Sequence, residues 1–272
     1  MTTIAISTHR RRAHLPGSLA SLTACLLLEA TGGLAAAGHL VRGGGAGVVR
    51  PARPAVLLRG TLQAPPVMLI HGLGSDSSTL QTMARALHAS GHTVYLMNYS
   101  SVGVDIATCG RRLAAEAANL RDATGATRLN VVAHSLGGVI ARWAITNTRL
   151  ADWVDTAITL ASPHAGSPLA RLAPARMPGF AELIRQLRPG SAVPPADGPR
   201  AAVRWVVVAG QLDWIVPPRY AGLPERENVR TVVLPGCGHL SLPSDPRCIA
   251  LVRRELAPSR ATASLRPLAR AA

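Results

Sequence analysis

Short apolar runs alternate with amphipathic segments along most of the chain, and this alternation limits the folds that it can adopt. The run PVMLIHG (66–72) is almost continuously apolar and ends in glycine, as strands buried on both faces do. The next segment, STLQTMARALHASG (78–91), has apolar residues at helical spacing and closes with a glycine. Repetition of a strand followed by a helix predicts a parallel sheet with right-handed crossovers.

The same pattern recurs further along the chain. Strands are predicted at 93–99, 128–134, 154–161, 203–210 and 229–236, and helices at 105–125, 136–147, 180–187 and 246–256. Hydrophobic residues make up 48% of the chain but aromatic residues only 3%, so Val, Leu, Ile and Ala must form the core. We therefore expect an α/β fold in three layers, with a mostly parallel central sheet flanked by helices.

Composition suggests where the domain begins and ends, since 272 residues suffice for one large domain. We assign residues 1–59 to a leader and a linker rich in Gly, Arg and Pro, and residues 60–257 to the α/β domain. Residues 258–272 form a basic tail that we expect to be disordered. About forty residues rich in Pro and Arg, 162–202, interrupt the pattern as either a lid over an apolar cleft or a plain surface insertion.

The formal net charge of +15 comes from 29 basic residues, all of them arginine. Much of the excess lies in the two flanks, because residues 60–257 hold 19 arginines against 13 acidic residues, a net charge of +6. A modest attraction to anionic surfaces is expected. No motif of a nucleic-acid-binding module is present, so we expect no nucleic-acid partner.

The N-terminal segment has the order of parts found in a secretory signal. HRRRAH precedes the apolar run LPGSLASLTACLLLEATGGLAAAG, which ends in small residues, although Glu29 interrupts it. LTAC (22–25) also matches a lipoprotein cleavage box with Cys25 as the acylated residue, but apolar residues continue past it. The alternative is an uncleaved apolar helix that anchors in a membrane or packs on the domain. We favour a secreted or membrane-associated protein over a cytosolic one.

Three cysteines lie outside the leader. Cys237 and Cys248 flank the short loop that carries His239, so a disulfide between them would fix that loop in an oxidising compartment. The alternative is two buried free thiols. No spacing of cysteine or histidine indicates zinc.

The segment VVAHSLGG (131–138) places Ser135 where a predicted strand turns into a predicted helix. Such a turn needs small residues two positions before and after the serine, and Ala133 and Gly137 meet that need. The N–H of Leu136 then points from a helix N-terminus toward developing negative charge. A second donor is expected in HGLG (71–74), at the N–H of Leu73. We interpret Ser135 as a nucleophile and these two N–H groups as its oxyanion hole.

A serine nucleophile requires a base, and His239 is the best candidate because it follows the last strand in a loop bracketed by glycines. His164, in SPHAGSP, is its main rival and is otherwise a residue that shapes its loop. His71 and His134 touch the motifs but point away or belong to a strand end, so we expect them to be packed and hydrogen-bonded.

The acid that orients the base is expected to be Asp213, which follows the strand VRWVVVAG in GQLDWIVP. A carboxylate at the end of a buried strand is costly unless it has a partner. The other candidate acids fall on polar turns, where exposure to solvent is the default: Asp152, Asp155, Asp197 and Asp245.

Together these motifs resemble the α/β-hydrolase superfamily, and within it the bacterial lipases and esterases. The resemblance covers about residues 64–257 and rests on PVMLIHGLGS, NVVAHSLGG, ITLASPHAGSPLA, GQLDWIVP and GCGHLSLPSDP. The order Ser135, Asp213, His239 is the one that this architecture uses. Ala133 stands where the usual motif has its first glycine, a variant found in bacterial lipases.

The resemblance implies cleavage of carboxylic esters through an acyl-enzyme, with a lipid or small ester as the substrate and no metal or cofactor. LASPHAG looks like a loop of triacylglycerol lipases and favours lipid esters. Three alternatives stay open: an acyltransferase or thioesterase with the same three residues, a hydrolase fold that only binds, and a membrane-anchored interaction protein. The sequence leaves the acyl chain length and the oligomeric state open.

Overall fold

The structure is a computed structural model that describes residues 55–173, 179–191 and 202–257. The tail from residue 258, Asp197 and all of the predicted leader before residue 55, including Cys25, lie outside the described residues. Seven strands form one sheet: β1 (Val56–Leu58), β2 (Val67–Ile70), β3 (Val94–Met97), β4 (Leu129–His134), β5 (Val154–Leu160), β6 (Arg204–Gly210) and β7 (Val229–Leu234).

The strand order across the sheet is β1-β3-β2-β4-β5-β6-β7. All neighbouring pairs from β3 to β7 are parallel, as the alternation of strands and helices predicts. Among the strands of the described residues, β1 alone is antiparallel, to β3. This short strand lies inside the segment that we predicted as linker, so the sheet begins earlier than expected. Strand β1 has three residues and pairs with one neighbour, β3, so it is too short to show a periodic pattern in the sequence.

Helices cover both faces of the sheet. They are α1 (Gln81–Ala89), α2 (Ile106–Thr124), α3 (Leu136–Asn147), α4 (Leu169–Leu172), α5 (Ala181–Gln186), α6 (Pro218–Ala221) and α7 (Pro246–Leu256). Buried residues of α2 and α3 pack on one face, and those of α1 and α7 on the other. All six residues of β4 are buried because helices enclose the strand on both sides. The predicted three-layer α/β fold is confirmed.

Local sequence explains most helix limits. Asp105 accepts a hydrogen bond from the N–H of Thr108 at the start of α2, and Gly125 ends that helix with φ 68°. The predicted helix at 78–91 starts instead as a 3₁₀ turn over Ser77–Leu80, with α-helix from Gln81. The four-residue helices α4 and α6 were not predicted because one turn is too short to show periodicity.

The described parts of the 162–202 insertion pack on the domain. Five apolar residues of this insertion join the same core as the buried side of α2: Ala170, Phe180, Leu183, Ile184 and Leu187. The side-chain carbonyl of Gln186 accepts a hydrogen bond from the N–H of Ile106 at 2.9 Å. Whether the insertion acts as a lid stays a prediction. None of the helices in the described ranges combines the length and apolar character that a membrane crossing requires.

Candidate active site

Ser135 lies between β4 and α3 in a strained conformation. Its backbone has φ 54° and ψ −125°, values that non-glycine residues rarely adopt. The Ser135 N–H donates to the carbonyl of Leu160 on the neighbouring strand at 2.8 Å, which holds the turn in place. A Cβ on Gly137 would lie 2.6 Å from the carbonyl oxygen of His71, so only glycine fits there. The chain therefore stores strain to present the Ser135 side chain at the end of the sheet.

Ser135, His239 and Asp213 form one hydrogen-bonded chain. The Nε2 of His239 is 2.9 Å from the Oγ of Ser135, and its Nδ1 is 2.8 Å from Oδ2 of Asp213. Because a carboxylate only accepts, Nδ1 carries the hydrogen and Nε2 accepts the serine O–H. The structure thus brings together the three side chains that the sequence singled out.

The carboxylate of Asp213 is fixed by the loop that follows β6. Its Oδ1 accepts hydrogen bonds from the backbone N–H groups of Ile215 at 2.9 Å and Val216 at 2.7 Å. Its other oxygen faces His239, and the side chain is buried. Both carboxylate oxygens of Asp213 have hydrogen-bond partners. These bonds offset the cost of burying the carboxylate and fix its orientation toward His239.

Several bonds hold the loop that carries His239. The N–H of Gly238 donates to Oγ of Ser241 at 3.0 Å, and the carbonyl of Cys237 accepts from the N–H of Leu212 at 2.8 Å. The Cys237 thiol donates to Oδ2 of Asp245 at 2.9 Å. Cys237 and Cys248 are buried free thiols, and burial raises the pKa of Cys248 to about 12.

The loop after β2 lies against the serine. A Cβ on Gly72 would be 3.0 Å from Cβ of Ser135, so Leu73 directly follows a residue that lies against the nucleophile. The segment after the neighbouring strand β3 holds this loop, because the hydroxyl of Tyr99 donates to the carbonyl of His71 at 2.9 Å and the Tyr99 and His71 rings stack at 4.3 Å. Burial lowers the pKa of His71, which keeps this ring neutral.

Leu136 is the first residue of α3 and is fully buried. The first N–H groups of a helix have no acceptor inside the helix, and the helix dipole makes this end electropositive. Leu136 and Leu73 each directly follow one of two residues that lie close together here, Ser135 and Gly72. This arrangement suits an anion beside the serine oxygen.

The rival histidines make other contacts. Nε2 of His164 is 3.0 Å from Oγ1 of Thr159, and its ring lies edge-on to Trp205. Burial, together with the charge of Arg142, lowers the pKa of His164 to about 3. His134 instead contacts the loop that carries His239, since its Nε2 is 3.0 Å from the carbonyl oxygen of His239. The sequence suggested a packed histidine at 134 but carried no signal for this partner.

Comparisons with known proteins agree with this architecture. Residues 66–177 match a family described as "Putative serine esterase (DUF676)". A triacylglycerol lipase of Burkholderia plantarii is 31% identical over 137 residues, which are 47% of this chain and 38% of the relative. A triacylglycerol lipase of Pseudarthrobacter phenanthrenivorans is 31% identical over 113 residues, 39% and 35% of the two chains. The chain thus matches little more than a third of the length of either relative.

Solved structures share the fold at low sequence identity. A mature lipase of Bacillus licheniformis superposes with a TM-score of 0.63 and 19% identity over 75% of this chain and 97% of its own. A bacterial membrane phospholipase A superposes with a TM-score of 0.55 and 19% identity, covering 87% and 94%. The chain has the α/β-hydrolase fold. Within that class it is similar to the bacterial lipases and esterases.

Proposed function

We propose that the chain is a serine hydrolase that cleaves carboxylic esters, and lipid acyl esters in particular. The observation that carries this proposal is the continuous hydrogen-bonded chain from Ser135 through His239 to Asp213. A nucleophile, a base and an acid in this geometry support the chemistry of acyl transfer.

The first half of the reaction forms an acyl-enzyme. Oγ of Ser135 attacks the ester carbonyl carbon while Nε2 of His239 takes the hydroxyl proton. The carboxylate of Asp213 stabilises the imidazolium that results. Collapse of the tetrahedral intermediate breaks the bond to the leaving oxygen, and His239 donates its proton to the departing alcohol.

The second half repeats these steps with water as the nucleophile. His239 takes a proton from water, the hydroxide attacks the acyl carbon, and Ser135 leaves with the proton that His239 returns. In both halves the N–H groups of Leu73 and Leu136 would bind the oxyanion. Each such donor contributes about 3 kcal/mol of transition-state stabilisation in serine hydrolases.

Exposed apolar side chains support a lipid substrate. Five of them occur in segments that follow the carboxyl ends of β3, β5 and β6, and we call them the apolar rim: Val102, Leu169, Leu172, Leu212 and Trp214. A hydrogen bond from the hydroxyl of Ser167 to the carbonyl of Ile215, at 2.6 Å, ties the start of α4 to the loop of Trp214. Apolar side chains exposed in segments at the carboxyl ends of the strands suit a contact with lipid or another apolar partner.

Two further observations agree with a lipid ester. The curated relatives are named triacylglycerol lipases, and the solved relatives include a lipase and a membrane phospholipase A. The basic, apolar N-terminal sequence favours export or association with a membrane. We therefore place the substrate among acyl esters presented at a lipid surface.

Hydrolysis of p-nitrophenyl esters from short to long acyl chains by the full chain tests this function. Each buried methylene adds up to about 0.8 kcal/mol of binding, so kcat/KM should rise with chain length. Ser135→Ala should remove the activity. Asp213→Ala should leave a small residual activity, because the oxyanion donors persist. Serine-dependent turnover of short chains alone would reject the lipid preference. Absence of turnover with every ester would reject ester hydrolysis in favour of acyl transfer or binding.

A further inference from the structure

The side chain of His134 contacts the backbone of the proposed base. Its Nε2 is 3.0 Å from the carbonyl oxygen of His239, although the two residues are 105 positions apart in the sequence. A carbonyl oxygen only accepts hydrogen bonds, so Nε2 of His134 carries the hydrogen and donates it. The bond joins the residue next to the nucleophile to the residue that is the base.

The ring of His134 lies between the two loops that flank Ser135. Its centroid is 5.0 Å from that of the His239 ring, and a Cβ on Gly72 would be 3.6 Å from its Nδ1. His134 is 5% exposed. Burial, together with the charge of His239, lowers the pKa of His134 to about 3, so the imidazole is neutral near pH 7 and its bond to the carbonyl selects the Nε2–H tautomer.

The loop that this bond helps to hold is rich in glycine. Glycines stand on both sides of Cys237, and Gly236 has φ 67°. Small displacements of a base change catalysis strongly, since about 1 Å of misplacement can cost about 100-fold in rate. A tether from the end of β4 to the backbone of His239 would keep Nε2 of His239 at 2.9 Å from Oγ of Ser135.

We propose that His134 is a positioning residue, which donates a hydrogen bond to the carbonyl of His239 and thereby sets the distance between nucleophile and base. This inference rests on the proposed serine-hydrolase function and deepens it. His134 takes no proton from the substrate or from Ser135. It acts through the backbone of His239.

Two substitutions separate the hydrogen bond from the space that the ring fills. His134→Phe keeps a flat ring but removes the donor, whereas His134→Gln places an amide N–H at a similar reach. His92→Phe is the matched control, because His92 is also buried but contacts neither Ser135 nor His239 among the described hydrogen bonds. All three are made in the full chain.

Two measurements test the proposal. Steady-state hydrolysis of a soluble p-nitrophenyl ester should show kcat lowered by about 100-fold in His134→Phe with KM little changed, and largely restored in His134→Gln. Hydrogen exchange followed by mass spectrometry should show faster exchange of the 236–242 segment in His134→Phe only. His92→Phe should match the wild type in both measurements.

Equal losses of kcat in His134→Phe and His134→Gln, or unchanged exchange of the 236–242 segment in His134→Phe, would overturn the tether. The exchange measurement does not depend on turnover. If the wild-type chain hydrolysed no ester, the proposed function would fail, and a fall in protection confined to His134→Phe would still establish the bond that holds the loop.

Discussion

The carbonyl of Cys237 lies directly over Gly210. A Cβ on Gly210 would be 2.6 Å from that oxygen and 2.9 Å from the carbonyl oxygen of Gly238. Gly210 ends β6 three residues before Asp213, and Cys237 is two residues before His239. The loop that carries Asp213 and the loop that carries His239 thus approach each other through backbone atoms. The absence of a side chain at Gly210 sets the distance between the two loops.

We predict that Gly210→Ala separates the acid from the base. The new methyl group meets backbone rather than a flexible side chain, so one loop must move, and kcat should fall by about 100-fold. Gly222→Ala is the control, because no atom lies within 4 Å of its Cβ position. Kinetics of ester hydrolysis by the two variants decide the matter, and equal kcat values would show that the loops do not depend on this contact.

Asp245 joins the base loop to α7, and its removal should loosen both. Its carboxylate caps the helix by accepting a hydrogen bond from the N–H of Arg247 at 2.7 Å. It also accepts a hydrogen bond from the Cys237 thiol. We expect Asp245→Ala to lower the free energy of unfolding by about 1 kcal/mol, the usual value of an N-cap. Asp152→Ala, at an exposed acid paired with Arg149, is the control and should change it less.

The contribution of Asp245 should also depend on pH. Burial raises the pKa of this carboxyl, but hydrogen bonds from Arg247 and Cys237 outweigh it and lower the pKa to about 2. The pKa of an Asp in an unfolded chain is about 3.9. The contribution of Asp245 to the free energy of unfolding is therefore complete above that pH and is lost as pH falls toward 2. Urea unfolding of wild type and Asp245→Ala should therefore converge at low pH. A constant difference would contradict this assignment.

Two buried histidines should make the fold sensitive to mild acid. Burial is the main cause that lowers the pKa of His134 and of His164 to about 3, so both stay neutral in the folded chain. The unfolded chain binds these protons below about pH 6.5, so stability falls as pH drops from there toward 3. At pH 5 each histidine should account for a loss of about 2 kcal/mol.

Urea unfolding at pH 7 and pH 5 measures this loss. His164→Gln removes one of the two titrating groups and keeps an amide within reach of Thr159, so its stability should fall less between the two pH values than that of the wild type. If wild type and His164→Gln lost the same free energy on acidification, His164 would not be the neutral buried group described above.

Trp214 should matter for esters at a surface more than for dissolved esters. It is 65% exposed and directly follows Asp213. Burial of such a side chain in lipid contributes about 2 kcal/mol, so Trp214→Ser should weaken adsorption to an emulsified long-chain ester at least about tenfold. Val233→Thr, at an exposed valine of β7, is the control. If Trp214→Ser lost the same fraction of its activity on emulsified and on dissolved esters, Trp214 of the apolar rim would not contact lipid.

Much of the architecture follows from patterns that the sequence displays openly. The parallel strands read as apolar runs because helices cover both faces of the sheet, and α3 matches its predicted limits 136–147 because Ser135 and Thr148 flank a continuous helical segment. Ser135, Asp213 and His239 were singled out because each follows a predicted strand. In a parallel sheet the carboxyl ends of neighbouring strands meet at one edge, and there the structure brings the three side chains together.

Contacts between distant backbone segments had no such signal. Strand β1 pairs on one side only, and the fit of Gly210 under Cys237 depends on two loops whose approach no local pattern records. The sequence marked His134 as packed and hydrogen-bonded, but the acceptor, the carbonyl of His239, lies far along the chain. These features depend on tertiary geometry rather than on periodicity, so the sequence alone does not predict them.

The most direct test of the central claim is covalent labelling of the full chain with an activated fluorophosphonate, followed by peptide mass spectrometry. A serine activated by His239 should form one adduct per chain, on Ser135, and none in Ser135→Ala. His239→Ala should slow labelling by at least about 1,000-fold. An adduct on another residue, or labelling of Ser135 at an undiminished rate in His239→Ala, would contradict the account.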